Sequence, residues 1–372
     1  MSSDVVIIGA GVIGLTCAWQ LAEAGATVRV LDPSPARGAS WAAAGMLAPV
    51  TELHYGEDAL LQLNLAAVDR WPAHAAALAA AGVDVGYVEC GSLLVARDAD
   101  DAAEHRRLLA VQEQLGMDVE WVRSRDLRRL EPALSPSVRS GIRVDGDHQV
   151  DNRALVEGLL TLCRFDDRVT VDTDRVAAVQ RDDARVTGVV TGDGRTVRAD
   201  RVVLAAGARS GLVDGLDLPA PVRPVKGQLL HLRNPGGPLL RRNIRGEDCY
   251  IVSRPDGRVV VGATMEEQGF DDRPTAGAVR DLLQAAWELV PGLAEATFVE
   301  VAVGFRPGSP DNAPLMGPLP GHEGLVVATG HARNGVLQSA LTAEAVVAWV
   351  TGTDVPDAVV PFAPDRIASP AA

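Results

Sequence analysis

The chain has 372 residues, more than one hydrophobic core usually organises, so two domains are expected. Its 47% hydrophobic and 23% charged residues are an ordinary globular composition, which excludes a mainly disordered chain. A formal net charge of −14 excludes a role built on phosphate-backbone binding, and with one lysine (Lys226) among 35 basic residues, any bound anion is expected on arginine.

In chain order, Val5 to Ile8 is a short β-branched run closed by glycine, the mark of a buried strand. Val12 to Ala24 carries a helical pattern ending at Gly25, and Thr27 to Leu31 is a second strand ending at Asp32. Together they form a βαβ unit. The alanine- and glycine-rich stretch Gly38 to Leu47 is no ordinary surface loop, and a helical region is predicted from Asp58 to Ala81. Ser92 to Ala96 and Val119 to Val122 read as strands around an exposed helix from Ala99 to Leu115. A helix follows from Asp151 to Cys163, with Asp151 or Asn152 as its cap. The meander 169–171, 176–181, 186–191 and 196–199 turns at Gly192-Asp-Gly194, and Val202 to Ala206 is a fully apolar strand. Strand-like runs recur at 225–232, 250–253, 259–262, 298–305 and 325–328, with helices at 276–290 and 336–350. The Pro- and Ala-rich tail from Pro361 is expected to fray.

The four cysteines lie far apart and show no metal or redox spacing. The start lacks a basic n-region, and no apolar run is long enough to span a membrane, so a soluble cytoplasmic protein is expected.

Gly9-Ala-Gly11-Val-Ile-Gly14 sits between strand and helix, where a dinucleotide fingerprint must sit. The first glycine allows the tight turn. The second admits a pyrophosphate to the backbone, and the third lets helix and strand pack closely. Asp32, at the end of the second strand, is placed for ribose hydroxyls. Two later segments favour a flavin over a nicotinamide. Val202-Val-Leu-Ala-Ala-Gly-Ala208 is a second buried strand ending in small residues. Ala328-Thr-Gly-His-Ala-Arg-Asn-Gly-Val-Leu337 repeats the strand–glycine turn–helix arrangement.

Further fragments carry a family resemblance: Ala42-Ala-Ala-Gly-Met-Leu47, Cys249-Tyr-Ile-Val252, Val259-Val-Val-Gly-Ala-Thr-Met265, Gly304-Phe-Arg-Pro-Gly308, Asp311, Pro314 and Gly330-His-Ala-Arg-Asn-Gly335. In order and spacing the chain resembles, over essentially its whole length, the flavin amine oxidases related to D-amino acid oxidase and sarcosine oxidase. It is most similar to the glycine oxidases of thiamine biosynthesis. The resemblance implies an α/β fold: an FAD-binding Rossmann-like domain of the glutathione-reductase type (1–84, 145–220, 300–372), interleaved with a smaller α+β substrate domain with a mixed sheet (85–144, 221–299). It also implies non-covalent FAD, a small amino acid or amine as substrate, molecular oxygen as partner, neither nucleic acid nor membrane, and a homotetramer.

The same resemblance assigns residues. Arg306 binds the substrate carboxylate, Tyr250 assists through its hydroxyl, Arg333 is a second arginine near the carboxylate and Met265 lines the pocket. FAD is implied against Gly9, Gly11, Val12, Ile13, Gly14, Asp32 and Pro33, then Ser40, Trp41, Gly45, Met46 and Leu47. Val176, Gly207 and the run His331, Ala332, Arg333, Asn334, Gly335, Val336 and Leu337 complete the set. By residue type alone, Arg306 before Pro-Gly reads as a turn residue, Tyr250 as packing and Met265 as core. His331 is expected to be structural.

The implied chemistry is hydride loss from the α-carbon of a neutral amine to the flavin N5 position, without a protein base for the C–H proton. The products are an imine, then a keto acid and ammonia, with hydrogen peroxide from oxygen. A dehydrogenase serving a quinone or protein acceptor and a non-catalytic flavoprotein are the competing readings. Retention of Arg306 and Tyr250 speaks against the second. The chain departs from the family pattern at Ala302, Ala332, Asp248 and Gln338. Two large-to-small changes, at Ala302 and Ala332, are expected to enlarge the pocket for a larger primary or secondary amine.

Overall fold

The computed structural model describes residues 3–367 and arranges them around two eight-stranded sheets. In the first, Ser3–Ile8 runs parallel between Thr196–Leu204 and Val28–Leu31. The order continues to Val169–Asp172 on one side, and through Leu325–Thr329 to the antiparallel edge Leu315–Pro318 on the other. The central strands are apolar on both faces because both are covered. Val5 and Ile7 pack under the helices Val12–Glu23, Asn152–Phe165 and Ser339–Thr351. Val6 and Ile8 face the hairpin Val176–Asp182 and Arg185–Thr191.

The second sheet runs in the order Thr297–Gly308, Arg223–Arg233, Arg258–Gly262, Tyr250–Ser253, Asn243–Arg245, Ser92–Ala96, Ser140–Val144, Val119–Arg123. It is mixed, since Asn243–Arg245 and Ser92–Ala96 pair in parallel among antiparallel neighbours. Helix Ala276–Leu289 buries Leu282, Ala286 and Leu289 on one face. The opposite face brings Leu229, Val252 and Val260 against Ala44 and Met46 of the small-residue stretch. That contact seats the second sheet over the first.

Several elements differ from the sequence expectation. The helical region 58–81 is two helices, Asp58–Val68 and Trp71–Ala80, because Pro72 fits the first turn of a helix but not its interior. The runs 196–199 and 202–206 are one strand, whose start pairs antiparallel with Arg185–Thr191 and whose end pairs in parallel with Ser3–Ile8. Strand Thr297–Gly308 bonds to Arg223–Arg233 along its length, so the expected boundary at residue 300 falls inside a strand of the second sheet. The tail does not fray at Pro361: Phe362 is buried, and the Arg366 guanidinium holds Asp311 at 3.0 Å. Residues 368–372 of that tail lie outside the described residues. Among the described residues no helix is long and apolar enough to cross a membrane.

Candidate active site

The first strand ends in a turn that tolerates no side chain. Gly9 has φ of +106°, and a Cβ there would run into the Ala205 carbonyl. A Cβ on Gly14 would sit on the Gly9 carbonyl oxygen, and one on Gly11 would come 3.3 Å from Ser40 Oγ. Two side chains hold the turn in place. Ser40 Oγ accepts the Val12 N–H at 3.0 Å. Asp32 accepts the N–H groups of Ala10 and Ser34, both at 2.7 Å. The start of helix Val12–Glu23 therefore presents backbone N–H groups to the space beside it.

That space is a cavity of about 900 Å³ between the two sheets. It is lined at one end by Gly9, Gly11, Val12, Ile13, Asp32 and Pro33, and along its length by Ser40, Gly45, Met46, Val176 and Gly207. His331 to Val336, Tyr250, Met265 and Arg306 line it as well. Four residues expected against the cofactor are not on its wall. Gly14 packs helix against strand, as the third glycine should. The Trp41 indole lies between the guanidiniums of Arg37 and Arg153, at 3.8 and 4.5 Å. Leu47 is buried and pairs with His148, and Leu337 is buried with its carbonyl accepting the Trp71 indole N–H at 2.8 Å.

Arg306 lies across the neighbouring strand at Gly227, where a Cβ would stand 2.8 Å from its Cζ. Its Nη1 donates to the Thr264 carbonyl at 3.0 Å. A Cβ at Gly262 would come 2.6 Å from Cε2 of Tyr250. Glycine in a strand costs stability, and here Gly227, inside its strand, and Gly262, at the end of its own, provide the floor on which the two polar side chains lie. Burial pushes the Tyr250 phenol up to about 12, against the opposing pull of Arg306, so it stays a neutral hydrogen-bond donor. Met265 is 74% exposed at the rim, not core. Among the described residues, no carboxylate lies within 4 Å of the Arg306 guanidinium.

Arg333 differs. It shares the cavity wall, but its Nε is 3.3 Å from Glu52 and its Nη2 donates to the Glu52 carbonyl at 3.2 Å and pairs with Glu57. Its charge is already compensated by two carboxylates, unlike that of Arg306. His331 is buried with Nε2 3.0 Å from Thr342 Oγ1, and burial takes its pKa down to about 3. It is a neutral structural group.

Of the two small residues expected to widen the pocket, only Ala332 is on the wall. It has a left-handed φ of 44°, and its N–H bonds the Pro307 carbonyl at 3.0 Å, tying this turn to the Arg306 strand. Ala302 is buried opposite Leu229. Asp248 pairs with Arg97 at 3.0 Å, and Gln338 is buried and donates to Asn64 at 2.7 Å.

Sequence reasoning missed Gly227, Gly262, Glu52, Arg245 and Arg254. The strand glycines carried a faint signal, since glycine in a strand interior marks a close approach. Arg254 carried none. It is buried, and its guanidinium donates to the carbonyls of Val150 and Ala44 at 2.6 and 2.7 Å, which fastens the small-residue stretch to the second sheet.

These residues fit FAD. The glycine cradle leaves the space that a Cβ would fill, and the buried Nδ2 of Asn334, on the cavity wall, has no hydrogen-bond partner among the described residues. Comparison with known proteins agrees. The chain is 36% identical over 369 residues to glycine oxidase of Pseudomonas putida, across 98% of this chain and 99% of that one. Glycine oxidase of Geobacillus kaustophilus superposes with a TM-score of 0.91 at 32% identity, across 98% and 99% of the two chains. Iminodiacetate oxidase of Chelativorans sp. BNC1 superposes with a TM-score of 0.86 at 30% identity, across 97% and 98%. The model of the family described as FAD dependent oxidoreductase, DAO, matches residues 4–349, and with it the cradle and the Arg306 strand, so the chain belongs to that family.

Proposed function

We propose that this chain oxidises a small amino acid in the manner of a glycine oxidase, giving an imine, then a keto acid and ammonia, with oxygen reduced to hydrogen peroxide. The observation that carries this reading is Arg306, an arginine of the cavity wall with no carboxylate against it, beside a Tyr250 that stays protonated. A guanidinium takes a substrate carboxylate bidentately, and the phenol adds a donor to the same anion. Together they fix the substrate at its carboxyl end, so orientation is the protein's main contribution. FAD supplies the hydride acceptor when bound. Gly9, Gly11, Val12 and Ile13 would hold its diphosphate, Asp32 its ribose, and residues 331–336 its ring.

In this reading the FAD-binding part takes residues 1–84, 145–220 and the chain beyond Gly308, and the substrate part takes the rest. The homotetramer and cytoplasmic location belong to the same reading, and light scattering and cell fractionation check them. The main experiment is anaerobic titration of the flavin absorbance with glycine, sarcosine and D-amino acids, followed by peroxide measurement in air. Bleaching by glycine with stoichiometric peroxide is expected. Bleaching only by larger amines would favour the larger-amine alternative, and bleaching without peroxide would favour a dehydrogenase.

A further inference from the structure

Beyond the carboxylate clamp, the cavity carries another arginine next to Tyr250. Arg245 stands in register with Tyr250 across strands Asn243–Arg245 and Tyr250–Ser253, and both line the cavity. Among the described residues its only carboxylate partner within 4 Å is Glu52. The same carboxylate faces Arg333 Nε at 3.3 Å, while Arg333 keeps Glu57 as a second partner. Glu52 thus sits between two guanidiniums inside the cavity, in the arrangement that a second substrate carboxylate would need.

Glu52 is also fixed from behind. The preceding Thr51 donates its hydroxyl to buried Asp147 at 2.5 Å. The Val50 N–H bonds that same Asp147 at 3.2 Å, and buried Gln112 donates to the Val50 carbonyl at 3.1 Å. These bonds anchor the stretch of chain immediately before Glu52.

We propose that Glu52 is a specificity residue whose carboxylate takes the place of a second anionic group, so that the enzyme accepts amines with one carboxylate and rejects those with two. The inference rests on the amino-acid oxidase reading above. An amine carrying a second carboxylate would bring it against Glu52, a like charge already holding the available arginines, whereas a neutral substituent meets no such opposition. Neutralising Glu52 leaves Arg333 its partner Glu57 but leaves Arg245 without a carboxylate. Arg245 then becomes the receiver of the second anion.

Sarcosine and iminodiacetate are a matched pair, differing by one carboxylate on the nitrogen substituent. The test is steady-state and anaerobic flavin-reduction kinetics of the holoenzyme with both amines, in the wild type, Glu52→Gln, Glu52→Asp and the Glu52→Gln/Arg245→Gln double variant. FAD content confirms that each variant folds. Binding read from perturbation of the flavin spectrum reports the preference even where turnover is slow. The expected result is a rise of at least about tenfold in the iminodiacetate-to-sarcosine ratio of kcat/KM for Glu52→Gln. Glu52→Asp should keep the wild-type preference, and the double variant should lose the gain. A ratio that does not rise in Glu52→Gln, or a gain that survives removal of Arg245, overturns the proposal. If neither amine nor glycine bleaches the wild-type flavin, the oxidase reading falls, and this proposal with it.

Discussion

At Arg306 the guanidinium rests where Gly227 leaves room, and its partners are the Thr264 carbonyl and the Tyr250 hydroxyl, neither of them a carboxylate. Binding of a substrate carboxylate therefore need not break an ion pair first. Arg306→Met should lower kcat/KM by about 30-fold or more, since removing one side of a hydrogen-bonded charge pair costs about 2–5 kcal/mol. The flavin spectrum of the resting enzyme should be unchanged, and steady-state assays with glycine check both parts. Gly227→Ala tests the floor instead of the clamp. A methyl there collides with Arg306 Cζ, so KM should rise while FAD stays bound, as measured by kinetics and flavin content. An unchanged KM would mean that the guanidinium does not use this position during binding.

At the scale of elements, the small-residue stretch 42–46 is the seam between the sheets, and Arg254 holds it. The buried guanidinium donates to the carbonyls of Ala44 and Val150 and to the side chains of Gln149 and Asn152. Arg254→Met keeps much of the volume but leaves buried acceptors unpaired, at about 1–3 kcal/mol each. Urea unfolding should show a loss of about 3 kcal/mol or more, with FAD retention falling alongside. The glycine turn is tighter still. Gly14→Ala places a methyl on the Gly9 carbonyl and should yield protein purified without flavin, which absorbance near 450 nm reports directly.

Across the whole molecule, buried histidines set the acid side of stability. Burial brings His74 and His231 down to about 4, and His331 down to about 3. Unfolded imidazoles titrate near 6.5. Below that pH the unfolded chain takes up protons that the folded one refuses, so the contribution of these groups is complete above pH 6.5 and is lost as the pH falls. Asp147 runs the other way. Burial raises its pKa to about 6, so its contribution is complete below about pH 4 and is lost as the pH rises through 6. These three groups against one give an uptake of about two protons on unfolding near pH 5, or about 2.5 kcal/mol per pH unit, to which His54 and His105, also lowered by burial, add and from which Glu131, raised by burial, subtracts. Denaturant midpoints between pH 4.5 and 6.5 check the slope. His331→Gln should reduce it by about one proton, and Asp147→Asn should steepen it.

The dinucleotide turn was legible residue by residue, because a glycine's φ, a strand end and a helix start are settled within about thirty neighbouring positions. The apolar strands and most helices were legible for the same local reason. Pro72, which divides one expected helix into two, obeys an equally local rule, since proline fits the first turn of a helix and not its interior. The positions of Trp41 and Arg333 were not readable, because each depends on partners elsewhere in the chain. Arg153 lies over the Trp41 ring, and Glu52 stands 281 residues from Arg333.

By itself, then, the sequence determined the βαβ cradle, the apolar strands of the first sheet and, through its motifs, the family. Only the tertiary structure decided which arginine is open to a substrate. Arg306, Arg245 and Arg333 are the same side chain by composition, but the half-buried Arg306 lies over Gly227 with no carboxylate against it among the described residues, while Glu52 and Glu57 neutralise the others. Charge in a cavity is set by which groups share it, and that is a property of the fold.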